Sequence, residues 1–420
     1  MKKFAKLLIV VFMLSISVLA FSSCESVLSD LFNPGNSGDP GTDECDHIWG
    51  EWEVMNESSC YNVGQLVREC ETCKTIDCKD IPQLEHQYQG YSCIYCGSDM
   101  GDWFAFEYLP ETDSYLLKTA FHYLLPDNTA KLEVPDYYKG KPVTAIGENA
   151  FMNCSQVTEI IIPDSITSIG DGAFAYCIGL TKIVIPNGIT SIGENMFETC
   201  TSLSEVGIPD TVTSIDRYAF INCLSLTEIH IPDSVTYIAE GAFGGSGMVR
   251  CVIPNSVTYI GSGAFAGCEK LASVVISDNV TTILEGTFGG CLKLKSIVIP
   301  ESVTRIERQA FEQCLELKTV IIGDGVTFIG DNAFIQCDCL SVVVIGKNVA
   351  VISDGVFGRH EEQVTRYFYR GTEEQWNNIA IGKYSEPLLE SQRYYYSETK
   401  PTTLGNFWHW GENGEVEVWE

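Results

Sequence analysis

Apolar and polar positions recur along the middle of the chain with a period in the low twenties. The clearest marker is phenylalanine. Phe151, Phe174, Phe197, Phe220, Phe243, Phe265, Phe288, Phe311, Phe334 and Phe357 lie 23 residues apart, except for one interval of 22 between Phe243 and Phe265. A unit this short cannot bury its own apolar face, so the units are expected to stack as a solenoid with one shared core. One period reads LTKIVIPNGITSIGENMFETC, Leu180 to Cys200, and the next reads LSEVGIPDTVTSIDRYAFINC, Leu203 to Cys223.

The first part of each period alternates, which places Leu180, Ile183 and Ile185 on the core side of a strand. Pro186 has no N–H for a ladder and ends the strand, and Asn187-Gly188 turns the chain. Ile189 and Ile192 point inward again, and Phe197 fills the interior of the coil. The strands are predicted to form a parallel sheet with about 4.8 Å between coils, so ten coils span on the order of 50 Å. One residue is missing from the turn Gly244-Gly245-Ser246-Gly247-Met248, which predicts a local irregularity.

Between the two inward isoleucines one strand position faces out. It holds Ile161, Val184, Gly207, His230, Val252, Val275, Val298, Ile321 and Val344. Two residues earlier, on the same face, stand Glu159, Lys182, Glu205, Glu228, Arg250, Ser273, Ser296, Thr319 and Val342. Valine suits a strand even when solvated, but contiguous exposed apolar stripes mark interaction sites. The stripe from Ile161 to Val344 is therefore the candidate partner-binding face, with self-association as the alternative. His230 interrupts it as a surface polar residue.

The template L-x-x-I-x-I-P, followed by I-G-x-x-A-F-x-x-C, resembles the BspA-type (Treponema-type) leucine-rich repeat of bacterial surface proteins, over roughly Leu132 to Phe357. The resemblance implies a β-rich leucine-rich-repeat solenoid, a cell-surface adhesion role and extracellular or host-surface protein partners.

The N-terminus changes the setting. Lys2, Lys3 and Lys6 precede the apolar run Leu7–Leu19, which is short for a membrane span and reads as a secretory signal over residues 1–23. The small residues before Cys24 resemble a bacterial lipoprotein processing site, although Phe21 stands where such sites carry an aliphatic residue. Lipidation of Cys24 would make an N-terminal anchor the only membrane contact; ordinary secretion is the alternative. Residues 24–44, rich in Gly, Pro, Ser and Asp, read as a flexible tether. With 56 Asp and Glu against 26 Lys and Arg, the net charge of −30 excludes nucleic acid as a partner and disfavours a bare anionic membrane.

Candidate chemistry lies among 18 cysteines. In 45–97, Cys70-x-x-Cys73 and Cys93-x-x-Cys96 have the spacing of a zinc ribbon, with Cys45 and His47 as alternative ligands and His86, Cys60 and Cys78 beside them. A structural zinc is expected; the competing reading is a disulfide knot in an exported protein. Cys154, Cys177, Cys200, Cys223, Cys268, Cys291, Cys314 and Cys337 each follow their phenylalanine by three residues. They read as small buried hydrophobes, with redox or metal chemistry as the alternative. Cys251 fills an inward isoleucine position.

Around the repeats of 143–358, residues 98–142 are expected to form a hairpin cap leading into a first strand. Residues 359–420 are expected to form an irregular coil and an aromatic β cap. Trp376, Trp408, Trp410 and Trp419 fit a cap core, or alternatively a glycan platform. No nucleophile elbow, HExxH or Walker loop is present, so no enzyme is expected. If 45–97 holds zinc, the purified chain should carry about one metal equivalent. Cys70→Ser should then lower both its zinc content and the stability of that segment. Zinc-free protein with every thiol of the segment oxidised would establish the disulfide alternative.

Overall fold

The computed structural model describes residues 103–122, 130–358, 365–403 and 405–419, and five short strands between positions 53 and 93. The chain divides into two units, Met1–Ser98 and Asp99–Glu420. In the first, Glu53–Asn56, Gly64–Glu69 and Ile76–Ile81 form an antiparallel three-stranded meander, and Tyr88–Gln89 pairs with Ser92–Cys93. Cys93 lies in that hairpin. Cys24, Cys45, His47, Cys70, Cys73 and Cys96 lie outside the described residues, as do the signal-like segment and the tether.

The second unit is a β-solenoid of about eleven coils with little helix. Each coil contributes three faces. On the first face, strands such as Lys182–Val184, Glu205–Gly207, Ser296–Ile299, Thr319–Ile322 and Val342–Ile345 pair in parallel with the coils beside them. The single sheet expected from the repeat is only half of the arrangement. The Thr-x-Ile segments form a second parallel face, for example Ser214–Ile215, Tyr237–Ile238 and Tyr259–Ile260. Threonine hydroxyls add a bond along the stack, as where Thr213 donates to the Thr190 carbonyl and Thr327 to that of Thr304.

Among the described residues the third face has no strands, yet its amides are also paired from coil to coil. Phe151 N–H donates to Ala173, Asn149 to Asp171 and Asn153 to Ala175. Alternate N–H groups can aim along the stack because residues two before and two after the phenylalanine are left-handed. Around Phe197 these are Asn195 at φ 54° and Thr199 at φ 56°. Asparagine tolerates this conformation; a β-branched threonine does not.

Inside, the ten phenylalanine rings form one stack, with neighbouring centroids from 5.0 to 5.6 Å apart. Edge-on rings stop it at each end: Phe104 against Phe151 and Tyr367 against Phe357. The antiparallel hairpin Phe104–Leu109 and Ser114–Ala120 supplies the first of these. The missing residue falls in the turn before the strand, where Ser246-Gly247-Met248 replaces Cys-x-x-Leu. Gly247 is required there, since a Cβ would come 2.0 Å from the Leu224 carbonyl oxygen. The Phe243 and Phe265 rings remain 5.3 Å apart, while the first face loses its strand pairing at Glu228–His230. The ladders are also interrupted between Ser273–Val275 and Ser296–Ile299 on the first face, and between Ser168–Ile169 and Ser191–Ile192 and between Tyr259–Ile260 and Thr282–Ile283 on the second.

Beyond Phe357 one irregular coil follows. Arg366–Tyr369 and Ala380–Ile381 extend the two faces, with the helix Glu373–Trp376 between them, capped by Thr372. Arg393–Tyr396 and Phe407–Trp410 continue the first face, and Val416–Val418 closes it as an antiparallel strand.

Two substitutions test this account. Phe265→Ala removes a fully buried ring from the middle of the stack and should cost about 3–5 kcal/mol. Because damage spreads mainly to neighbouring coils, calorimetry should show a broadened or split melt. Thr199→Gly keeps the N–H bond to Ile221 and relieves the left-handed threonine. It should raise stability by about 1 kcal/mol in denaturant titration, and a loss would show that the strain is compensated by side-chain packing.

Candidate functional site

The outward side of the first face is built by strand alternation. Inward Ile183, Val274 and Ile297 are buried, while Val184, Val252, Val275 and Val298 are 57%, 63%, 58% and 58% exposed. His230 is exposed among them, and Ile161 and Ile321 are half-buried. Gly207 leaves a gap in the column, and its Cβ would touch the Val184 side chain. Beside Ile161 and Val184 a shallow notch of about 130 Å³ is lined also by Glu159 and Lys182. The stripe thus has four strongly exposed valines, three of them in adjacent coils.

The neighbouring column is charged at one end and neutral at the other. Lys182 Nζ lies 2.5 Å from Glu205, whose hydrogen bond holds the Lys182 pKa above its ordinary value. Arg250 lies 3.8 Å from Glu228. Ser273, Ser296 and Thr319 carry no charge, so the strip beside Val275 and Val298 is free of fixed ion pairs.

Val344 corrects the expected extent of the stripe, because it is completely buried. Val344, Phe368, Tyr394 and Trp408 form a separate small core on the outward side, with Ile321, Val342, Trp410 and Val416 packed against it. Trp408 is fully buried and donates its indole N–H to the Tyr369 carbonyl, and Trp376 is buried against Tyr369. These two tryptophans are core, not a platform for sugars. The open part of the site therefore ends near Ile321.

The cysteine column is buried throughout, as is Cys251. Its thiols do more than fill space. Cys177 donates to the Phe151 carbonyl at 3.0 Å, Cys200 to Phe174 at 3.1 Å and Cys223 to Phe197 at 3.2 Å. Each such carbonyl also accepts the amide of the cysteine three residues on, so the thiol takes its second lone pair. Ser246 stands at the corresponding position of the short coil, 3.3 Å from Cys268. Burial pushes the Cys200 and Cys251 thiols up to about 12 and Cys268 to about 11. Thiolate chemistry is suppressed by that shift. Among the described residues no cluster of three or more His, Cys, Asp or Glu is arranged to hold a metal.

Two columns escaped the sequence reading. The outward position of the second face carries Tyr237 and Tyr259, half-exposed and stacked at 4.8 Å, and then Arg305, whose guanidinium lies 4.0 Å from the Phe328 ring centre. At the turn ending the first face, a column carries Asp164, Asp210, Asp233, Asp278, Glu301 and Asp324, with Asn187 and Asn255 at the two intervening positions. Writing the repeats in register would have exposed both.

A stack of short coils with leucine, isoleucine and phenylalanine interior columns, and an outward strand face left open, defines a leucine-rich-repeat scaffold. The profile of the BspA type leucine rich repeat region matches residues 128–250 and 238–362 in six copies, over half of the sequence. The chain belongs to that family. No match was found among curated proteins. Among solved structures, a leucine-rich repeat protein from Bacteroides ovatus is similar, at 25% identity and TM-score 0.53, covering 70% of each chain. A Leucine Rich Repeat protein from T. pallidum is 25% identical over 57% of this chain and 88% of its own, with TM-score 0.35. A leucine rich cell surface protein from Faecalibacterium prausnitzii is 25% identical over 67% of this chain and 97% of its own, with TM-score 0.29.

Proposed function

We propose that this chain is an exported cell-surface adhesion protein that recognises extracellular or host-surface proteins through the outward side of its first face. The observation that carries the reading is the line of exposed valines, Val184, Val252, Val275 and Val298, on parallel strands of the stacked coils. Such a surface desolvates at little conformational cost, because its backbone and interior are fixed before any partner arrives. Membership of the BspA-type family supports a surface role. The lysine-led apolar segment and Cys24 support export with a lipid anchor, and residues 25–44 serve as the tether. On this reading 45–97 is a zinc-stabilised spacer, and the hairpins at 104–120 and 407–418 act as caps that keep the ends of the stack from pairing with other chains.

Val275→Lys with Val298→Lys tests the face in the full chain. Strand positions that are already solvated tolerate lysine at a cost of about 1 kcal/mol, so the melt should barely move. Binding to immobilised extracellular-matrix proteins should fall strongly, because two charges then stand where desolvation is needed. Glu269→Lys with Glu312→Lys, away from the stripe, alters the net charge more and should leave binding intact. Wild-type binding by the valine pair, with loss in the control pair, would move recognition off the sheet.

A further inference from the structure

The carboxylate column supplies the chemistry of the partner. It stands three residues past the outward strand position, at the turn that ends the strand, within about 10 Å along the chain, and is interrupted by Asn187, Asn255 and Lys347. Asp233, Asp278 and Glu301 are exposed. Among the described residues Asp233 and Asp278 have no cation beside them; Asp278 meets only its neighbour Asn255. Asp233 and Asp278, on either side of Asn255, are thus the unpaired carboxylates along the stretch where Val252, Val275 and Val298 are bare and the column on their other side is neutral at Ser273 and Ser296.

The last coils show how the same two columns are satisfied when they are covered. Past Val344 the outward column continues in register as Phe368 and Tyr394, and these pack with Val344 and Trp408 into one buried cluster. On the carboxylate column, the Arg370 guanidinium lies 2.8 Å from Glu301 and 3.3 Å from Asp324. An aromatic ring on the apolar column and an arginine on the acidic one come from a single stretch of chain, since Phe368 lies in the strand Arg366–Tyr369 and Arg370 follows it directly.

We infer that the uncovered part of this face binds a cationic protein segment bearing arginine and aromatic side chains, with the rings on Val252, Val275 and Val298 and the guanidinium groups on Asp233 and Asp278. This rests on the reading of the first face as the recognition surface and adds the chemical class of what it takes. A second copy of the chain is a poor occupant, because a net charge of −30 sets one carboxylate column against another.

The probe is a synthetic peptide alternating arginine with phenylalanine and tyrosine, titrated into the full chain at physiological salt beside a counterpart with glutamate for arginine. The arginine peptide should bind and the glutamate peptide should not. Asp233→Asn with Asp278→Asn, and separately Val275→Ser with Val298→Ser, should each weaken binding about tenfold or more, as expected for charged and apolar contacts at the centre of an interface. Glu269→Gln with Asp338→Asn, equal in charge but distant from the stripe, should change it little. If that control pair weakens binding as much as Asp233→Asn with Asp278→Asn, only the overall charge is being sensed and the inference fails. If the valine pair matters and the aspartate pair does not, the recognition face stands but its partner is not cationic. If the aspartate pair matters and the valine pair does not, the face itself is wrongly assigned and the inference falls with it. No binding of the arginine peptide, or a dimer in sedimentation that the valine pair dissolves, would also overturn it.

Discussion

Everything in the second unit depends on each coil being unable to stand alone. A coil of 23 residues has one layer of apolar side chains and two sides through which that layer meets water. Only the next coil can cover it. The phenylalanine stack makes this dependence specific, because ring on ring at 5.0 to 5.6 Å imposes one rise on every coil. The other periodic contacts obey that rise: strand amides on two faces, turn amides on the third, threonine hydroxyls and cysteine thiols. Each donates to a group about one repeat away. Stability is then a sum of nearest-neighbour interfaces. The short coil shows which contact dominates, since a missing residue alters the turn and the first face while the rings keep their spacing.

With the interior so constrained, variation is confined to outward columns, and those columns carry the chemistry. The same strand that places Val274 in the core puts Val275 in water. The two sides of the valine stripe differ in kind, with paired charges or hydroxyls on one and carboxylates interspersed with asparagines on the other. A polar edge around a dry centre is the usual anatomy of a recognition surface. The strong negative charge governs approach and selects against anionic partners without contributing to the fold.

The C-terminal segment limits the surface. Trp408 and its neighbours build a second core on the side of the sheet that is otherwise open, and Arg370 reaches back over three coils to Glu301. The solenoid therefore has an occluded end and an open middle, although its repeats are nearly uniform in sequence.

The periodic core was legible in the sequence because one column always meets the same column in the next coil. Phe197 stacks on Phe174 and Phe220 whatever the rest of the chain does, and the hidden roles of Cys200 and Ile183 follow from their place in the period. Strand alternation likewise identified Val184, Val252, Val275 and Val298 as outward. Contacts that skip the period were not legible. The burial of Val344 depends on Trp408, 64 positions away in sequence and brought there only by the curl of the last strands. The second strand face, the thiol bonds to phenylalanine carbonyls and the left-handed Thr199 depend on backbone direction within a turn, which residue types alone do not specify. The sequence determined which residues face inward and how often, because burial is periodic. Tertiary structure decided how much of the outward face stays open, because covering it takes non-repeating residues that close on a distant part of the same sheet.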